Sequence, residues 1–214
     1  VYRPHADPWH AYVETDPLGD PTVPHSPTYA VSKVGQEAVA RTMARALGLP
    51  TTIARINASY GPNGGLPAYH CDAIAAGRAV PLRSPDRSPY SPIHEDDLAA
   101  QVAPLLDAAA SPATIVNWCG DETVTAEQWC ALFGERLGVE PELAYYDLPG
   151  SQPGSAADPT KRQSLTGRCA VPWQDGMSAL VDQRSGSCRP GSANGPSREP
   201  APGTTVERGA RSDG

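Results

Sequence analysis

Segments with a helical pattern alternate along this chain with short segments rich in β-branched residues, and this alternation limits the fold more than any other feature. Residues 27–48 carry apolar residues at intervals of three to four, which marks one face of a helix, and Gly48 and Pro50 end that pattern. Residues 51–58 have the sequence TTIARINA, which is typical of a short buried strand. Strands that alternate with helices predict an α/β layer structure with parallel strand pairing.

The alternation continues to about residue 183. A second strand is expected over 113–118, and Thr125 and Gln128 have the spacing of a capping box that begins a helix ending at Gly138. Asp96 or Asp97 is expected to cap another helix. After the helix over 27–48, the predicted helices cover 66–77, about 96–109, 125–138 and about 173–181.

The composition changes at Arg184. From there to Gly214 the chain has six Gly, four Pro and five Ser, and Val206 is the only large aliphatic residue. Such a segment buries too little apolar surface to offset the entropy lost on ordering it. The sequence therefore predicts a disordered tail over 184–214.

Charge and cysteine content argue against several kinds of partner. The net charge is −7, from 17 basic and 24 acidic residues, and no basic cluster precedes residue 180, so a nucleic-acid site is not expected. The five cysteines form no CxxC pair and the five histidines are scattered, so reduced thiols are favoured over disulfides or a metal site. No apolar stretch approaches the roughly 20 residues that span a bilayer, and the first residues resemble no signal peptide. We expect a cytoplasmic protein that does not contact membranes.

Tyr29 and Lys33 are the residues most suited to chemistry. A spacing of four on a helix places the phenol and the ammonium on one face, one turn apart. A nearby positive charge favours the phenolate form, and a tyrosine in that setting can exchange a proton with a hydroxyl or carbonyl group of a substrate. Alone, a YxxxK match is a weak signal, because surface helices produce it by chance.

Four blocks in order give that match more weight: Val1-Tyr2, Tyr29 to Lys33 followed by Glu37, Arg55 through Tyr60-Gly61-Pro62, and Ile93 to Ala99 (IHEDDLA). On these blocks the chain resembles the extended short-chain dehydrogenase/reductase family, which comprises NAD-dependent sugar epimerases and dehydratases. The resemblance covers about residues 1–183.

The resemblance implies roles, a fold and partners. Tyr29 would be the general acid/base, and Lys33 would assist it while binding the nicotinamide ribose of NAD or NADP. A hydride would pass between the cofactor and a sugar-like small molecule, with the nucleotide sugars of the family as one option. The fold would be a partial doubly wound (Rossmann-like) parallel sheet over 1–62, a small substrate lobe over 63–183 with some elements returning to the sheet, and the tail. Family members often form homodimers through the helix that bears YxxxK.

The sequence also departs from the family pattern. The glycine-rich dinucleotide fingerprint GxxGxxG is absent, and the catalytic Ser/Thr that normally precedes the VY pair would lie before Val1. The Asn near the substrate aligns with Ala58, so Asn57, one residue earlier, is a candidate only if the register shifts. The Arg that clamps the diphosphate aligns with Tyr90, and Arg83 or Arg87 would have to replace it.

Whether this chain is itself an enzyme therefore stays open. It resembles the C-terminal portion of an NAD-dependent epimerase or dehydratase. One alternative is a truncated, non-catalytic remnant that cannot bind a dinucleotide, and another is a reductase of small carbonyl compounds with the same Tyr/Lys pair. If the first strands of the parallel sheet are missing, an exposed face and edge are expected.

Overall fold

The helices and strands alternate in the computed structural model, which describes residues 2–19, 28–83, 88–146 and 154–187. The α/β class predicted from the sequence is confirmed. In chain order the elements are α1 (Tyr29–Leu47), β1 (Thr52–Ile56), β2 (Ser59–Tyr60), α2 (Leu66–Ala75), β3 (Val80–Leu82), β4 (Pro89–Tyr90), β5 (Ile93–His94), α3 (Glu95–Asp107), β6 (Thr114–Trp118), β7 (Val124–Thr125), α4 (Ala126–Leu137), β8 (Leu143–Tyr145), α5 (Thr160–Thr166) and α6 (Trp173–Ser187).

Helix ends with local chemical signals lie where the sequence predicts them. Helix α1 ends at Gly48, which has a φ of +61°, a left-handed conformation that glycine adopts without strain. Helix α4 begins at the capping box, in which the Thr125 hydroxyl accepts from the Gln128 amide while the Gln128 side chain accepts from the Thr125 amide. The same helix ends at Gly138, with a φ of +68°.

The predicted cap of α3 is wrong. Its N-cap is His94, whose ring Nδ1 accepts a hydrogen bond from the backbone N–H of Asp96 at 3.2 Å. The Asp97 carboxylate instead accepts from the backbone N–H groups of Ala170 and Val171, at 2.7 and 3.2 Å. Asp97 is therefore occupied in fixing the loop before α6 against α3, which leaves the ring of His94 to cap the helix.

The described strands form four two-stranded pieces. Strands β1 and β6 pair in parallel from Thr52 opposite Thr114 to Ile56 opposite Trp118. Strands β2 and β5, and β3 and β8, are also parallel, whereas β4 and β7 are antiparallel, an exception to the predicted pairing. Tyr2, of the Val1-Tyr2 block, forms an isolated antiparallel bridge with Leu18, and Val1 lies outside the described residues.

The main hydrophobic core lies between α2, α4 and α6. Trp129 and Phe133 of α4 and Met177 and Leu180 of α6 are almost completely buried there. Burying a large apolar side chain contributes about 1.5–3 kcal/mol, so this cluster is the chief source of stability in the second half of the chain. The residues that share the cluster are Tyr60, Ala68, Cys71, Ile74, Val80, Leu82, Val124, Ala126, Cys130 and Val181.

Helix α1 does not bury the apolar face that its sequence shows. Val39, Met43 and Leu47 are all exposed, whereas Ala30, Glu37 and Ala44 are the buried residues of the helix. The helix therefore contacts the rest of the described chain through small side chains and one carboxylate.

The start of the predicted tail is four residues too early. Helix α6 continues to Ser187, and Arg184 binds the Asp72 carboxylate of α2 through its Nη1, at 2.5 and 2.6 Å. An ion pair with a neighbouring helix orders these residues, a contact that composition alone does not reveal. The rest of the predicted tail, residues 188–214, lies outside the described residues.

No helix in the described ranges is long and apolar enough to cross a membrane.

Candidate active site

Tyr29 and Lys33 lie on the same face of the first turns of α1. The Lys33 Nζ is 5.9 Å from the centroid of the Tyr29 ring, within the range of a cation–π contact. The Ser32 hydroxyl donates to the Tyr29 carbonyl at 2.8 Å, so it serves the local helix backbone. Tyr29 is 61% exposed and Lys33 is also exposed, so both groups are accessible to a ligand.

A buried ion pair connects this helix to β1. Arg55 donates from Nε to Glu37 Oε2 at 2.8 Å and from Nη2 to Glu37 Oε1 at 2.7 Å. Burial alone would lower the pKa of Arg55, but the hydrogen bonds to Glu37 and Tyr2 raise it above its ordinary value. The guanidinium is therefore permanently charged and satisfied by a bidentate carboxylate.

The same arginine begins a hydrogen-bonded network that reaches β6. Its Nη1 donates to the Tyr2 hydroxyl at 2.7 Å and to the Glu14 carbonyl at 3.0 Å. The Tyr2 hydroxyl donates to Asn117 Oδ1, and the Asn117 Nδ2 donates to the Tyr12 carbonyl at 2.7 Å. The network fixes residues 2–14 beside the paired strands. Sequence reasoning placed Glu37 and Arg55 in motifs but missed this contact and the part played by Asn117 and Glu14, which no local spacing signals.

Asn57 follows β1 directly, where the carboxyl end of a parallel strand can meet a ligand. Its Oδ1 accepts from the backbone N–H groups of Ala58 and Ser91, at 2.8 and 3.0 Å, and its Nδ2 donates to the Ser155 carbonyl. Three of its four hydrogen-bonding positions are thus taken by backbone groups. The side chain joins three loops, and its contact with a substrate stays a prediction.

The position expected for a diphosphate clamp is occupied by Tyr90, whose ring packs against Trp129 with 5.4 Å between centroids. Burial raises the pKa of Tyr90, so its hydroxyl is neutral at pH 7. The nearby Arg83 has a buried Nη1 with no hydrogen-bond partner, which makes it a candidate for binding an anion. Arg87, the other candidate, lies outside the described residues.

A second buried ion pair also escaped sequence analysis. Arg162 of α5 is fully buried and donates to the Asp121 carboxylate, which also accepts from the Gln163 side chain and from the Cys169 backbone N–H. Burial alone would raise the pKa of Asp121, but these hydrogen bonds lower it below the usual range. Asp121 therefore holds the loop after β6 to α5 and to the loop before α6. The partners are about 40 residues apart, so no spacing rule could pair them.

The four described cysteines are free thiols, and Cys71, Cys119 and Cys130 are buried. Burial raises the pKa of Cys119 and of Cys130 to about 12 and that of Cys71 to about 11, so these thiols are protonated at pH 7. Within the described ranges, no group of three or more His, Cys, Asp or Glu side chains is arranged to hold a metal ion.

The described residues fit the nicotinamide ribose of a dinucleotide better than its pyrophosphate. The exposed hydroxyl of Tyr29 and ammonium of Lys33 are the kinds of group that a ribose and a reacting carbon require. The pyrophosphate needs exposed glycine amides at a helix N-terminus. Helix α3 begins with three acidic residues that repel phosphate. The start of α3 therefore does not suit a pyrophosphate.

The solved structures similar to this one include epimerases and dehydratases crystallised with NAD, and the chain shares their Rossmann-like α/β fold. Among them is a UDP-glucose 4-epimerase from Thermus thermophilus, with a TM-score of 0.70 and 25% identity over 87% of this chain and 61% of that one. A dTDP-glucose 4,6-dehydratase from Streptomyces venezuelae gives a TM-score of 0.68 and 24% identity over 83% of this chain and 55% of that one. A UDP-glucuronic acid 4-epimerase from Bacillus cereus gives a TM-score of 0.71 and 17% identity over 87% of this chain and 59% of that one.

The chain thus spans between 55% and 61% of the length of these three structures. No protein-family model matches the sequence, and no curated protein matches it. The similarity establishes the fold of the described part.

Proposed function

We propose that this chain belongs to the NAD-dependent epimerases and dehydratases of the extended short-chain dehydrogenase/reductase family and supplies their Tyr/Lys proton-transfer group. The observation that carries the proposal is the placement of Tyr29 and Lys33 on one exposed face of α1, in a fold shared with enzymes crystallised with NAD. The cofactor is NAD, the dinucleotide that those structures contain, and it supplies the hydride chemistry when bound.

The residues of this chain move the proton. The Tyr29 phenolate accepts a proton from a substrate hydroxyl, and the phenol so formed returns the proton to a carbonyl oxygen, while the Lys33 ammonium stabilises the negative charge of the phenolate. The exposed position of both side chains lets a substrate reach them. Asn57 has no direct role in this proposal, because backbone groups already occupy most of its amide.

The substrate is a sugar-like hydroxyl or carbonyl compound. The UDP- and dTDP-sugar enzymes among the similar structures support a nucleotide sugar. Tyr90 in the clamp position weighs against a tightly bound diphosphate, and Arg83, whose buried Nη1 has no hydrogen-bond partner, is the candidate to replace the clamp. The alternative function, a reductase of small carbonyl compounds, would need no residue that binds a diphosphate.

A titration of the purified chain with NADH, followed by nicotinamide fluorescence, tests the proposal. We expect a submillimolar dissociation constant that Lys33→Met weakens about tenfold, because a charge-assisted contact to the ribose is lost. Tyr29→Phe should bind NADH normally but abolish turnover of UDP-glucose, since the proton-transfer group is gone.

The matched control is Tyr69→Phe, which removes the hydroxyl of an equally exposed tyrosine (63%) on α2 and should leave binding and turnover unchanged. If the wild-type chain binds no NADH, the proposal fails for this polypeptide and the non-catalytic remnant is the correct description. If Tyr29→Phe retains full turnover, the role of Tyr29 is wrong.

We further propose that the chain forms a homodimer through α1. Val39, Met43 and Leu47 are spaced four residues apart and form an exposed apolar stripe on one side of the helix. Sedimentation velocity should show a dimer in the wild type and a monomer in Met43→Glu, because the new carboxylate cannot be desolvated at the interface. Val102→Glu, at an exposed apolar residue of α3, is the control and should stay dimeric. A wild-type chain that stays monomeric at high concentration contradicts this proposal.

A further inference from the structure

Helix α1 has few contacts that could fix its orientation. Of its 19 residues only Ala30, Glu37 and Ala44 are buried. Two alanine methyl groups bury little apolar area and tolerate rotation of the helix about its axis. Apolar packing within the described chain therefore leaves the direction of the Tyr29 and Lys33 side chains poorly defined.

The Glu37–Arg55 ion pair does restrict that rotation. Both side chains are 8% exposed, and two parallel N–H to oxygen hydrogen bonds of 2.7 and 2.8 Å join them. A bidentate pair of planar groups has a narrow range of allowed geometry, unlike the contact of a flexible ammonium with a carboxylate. Turning or sliding α1 would break both hydrogen bonds and leave a buried charge without its partner.

Arg55 can hold the helix because it is itself held. It lies in β1, whose backbone pairs with β6, and its Nη1 is bound by the Tyr2 hydroxyl and the Glu14 carbonyl. Tyr2 is in turn bound to Asn117 of β6. Apart from Glu37, the guanidinium is thus held by two groups of residues 2–14, one of which is anchored on β6.

The position of Glu37 along α1 gives the pair its effect on the candidate site. Lys33 is one turn before Glu37 and Tyr29 is two turns before it, or about 6 and 12 Å along the helix axis. The far end of α1 is tied to β1 by the short connection from Gly48 to Thr51. The half that carries Tyr29 and Lys33 has only Ala30 and Glu37 buried.

We infer that Glu37 and Arg55 are positioning residues, which set the rotation and axial position of α1 and so direct Tyr29 and Lys33 toward a common ligand. The inference rests on the proposed function, because positioning has a chemical purpose only if Tyr29 and Lys33 act on NAD and substrate. Neither Glu37 nor Arg55 touches the reacting groups.

Amide hydrogen exchange, measured region by region, tests whether Glu37 and Arg55 position α1 or only stabilise the whole fold. We compare the wild type with Glu37→Gln and with Arg55→Lys, which keeps the positive charge and loses the fork. Exchange over residues 29–36 should be at least about tenfold faster in both variants, while α4 and β6 change by less than about twofold. The control, Arg41→Gln, removes an exposed guanidinium 3.7 Å from the same carboxylate and should resemble the wild type.

Equal acceleration in every segment would show that the pair acts only on global stability and would overturn the inference. Unchanged exchange over residues 29–36 in Glu37→Gln would also overturn it. If Glu37→Gln fails to fold by circular dichroism, the comparison is made with Arg55→Lys, which retains a donor for Glu37.

A second readout is turnover of UDP-glucose with oxidised NAD, which accepts the hydride from the sugar. In both variants kcat should fall about tenfold or more with KM nearly unchanged, since the proton-transfer group is displaced while substrate contacts elsewhere remain. Full turnover by a variant with accelerated exchange in α1 would overturn the inference. If the wild-type chain fails to bind NADH, the proposed function fails, and the exchange experiment alone decides whether the pair orients α1.

Discussion

His70 is the clearest example of a side chain whose surroundings set its charge. It is buried between α2 and α4, and its Nδ1 accepts a hydrogen bond from the Trp129 indole N–H at 3.0 Å. That bond assigns the proton of the neutral ring to Nε2. Burial lowers the pKa of His70 to about 4, so the ring is neutral in the folded protein at pH 7.

The depressed pKa of His70 predicts a loss of stability in acid. An unfolded chain protonates this histidine near pH 6.5, whereas the folded chain resists protonation down to about pH 4, so the unfolded state binds more protons between those values. The contribution is present above about pH 6.5 and is lost as pH falls toward 4. Chemical denaturation should show a decrease of about 2 kcal/mol between pH 7 and pH 5 from this residue.

His70→Asn keeps an acceptor for the indole and removes the titration. Between pH 7 and pH 5 its free energy of unfolding should therefore fall by about 2 kcal/mol less than that of the wild type. His10→Asn, at a part-exposed histidine paired with Asp16, is the control for the loss of an imidazole. An identical pH slope in His70→Asn and the wild type would contradict the assignment.

Residues whose role depends on neighbours in sequence were predictable. Tyr29 and Lys33 lie on one face because a spacing of four does so on any helix. The predicted cap at Asp96 or Asp97 is wrong because Asp97 meets Ala170 and Val171, which are more than 70 residues away. Glu37 and Arg55 could be recognised as parts of motifs, but their mutual contact needed the fold.

Two glycines within helices, one with open space beside it and one tightly packed, give a matched test of how the helices pack. Gly35 lies within α1, and an added Cβ there would meet nothing within 4 Å. Gly176 lies within α6, where a Cβ would be 2.6 Å from the Tyr60 hydroxyl and 2.9 Å from Val171 Cγ1. Glycine lowers the stability of both helices, but only one position has room for a methyl group.

Gly35→Ala should therefore raise the free energy of unfolding by about 0.5–1 kcal/mol, because alanine restricts the unfolded chain and favours the helix. Gly176→Ala should lower it by about 1–3 kcal/mol, because the buried Tyr60 ring must move to make room. Urea denaturation measures both. A stabilising Gly176→Ala would mean that α6 and Tyr60 are not packed as described.

The sequence predicted the helices whose ends are marked by capping residues or glycines, but it did not predict the two-residue strands, which have no such marks. The capping box of α4 and the glycines after α1 and α4 fix helix ends through local hydrogen bonds and backbone conformation. Strands β2, β4, β5 and β7 have two residues each, too few for a periodic pattern, so only pairing across the fold defines them. The apolar stripe of α1 identified a helix correctly but did not indicate which side faces the rest of the chain.

For the molecule as a whole, the α/β class followed from the alternation of elements, because that order allows few layer arrangements. The division at residue 62 into a sheet domain and a substrate lobe stays a prediction. Strand β1 has β6 on one side and no other strand partner in the described ranges, so one edge of the sheet is open there.

The parallel register of β1 and β6 has a consequence for how the chain folds. Thr52 pairs with Thr114, so the ladder closes a loop of roughly 60 residues at an entropic cost of about 3–4 kcal/mol. The Glu37–Arg55 contact closes a much shorter loop and can form early, with α1 and β1 assembling as a local unit. If β1 and β6 pair after that local unit has formed, partial unfolding that begins by separating β1 from β6 would release α1 and β1 together, still joined by the Glu37–Arg55 ion pair.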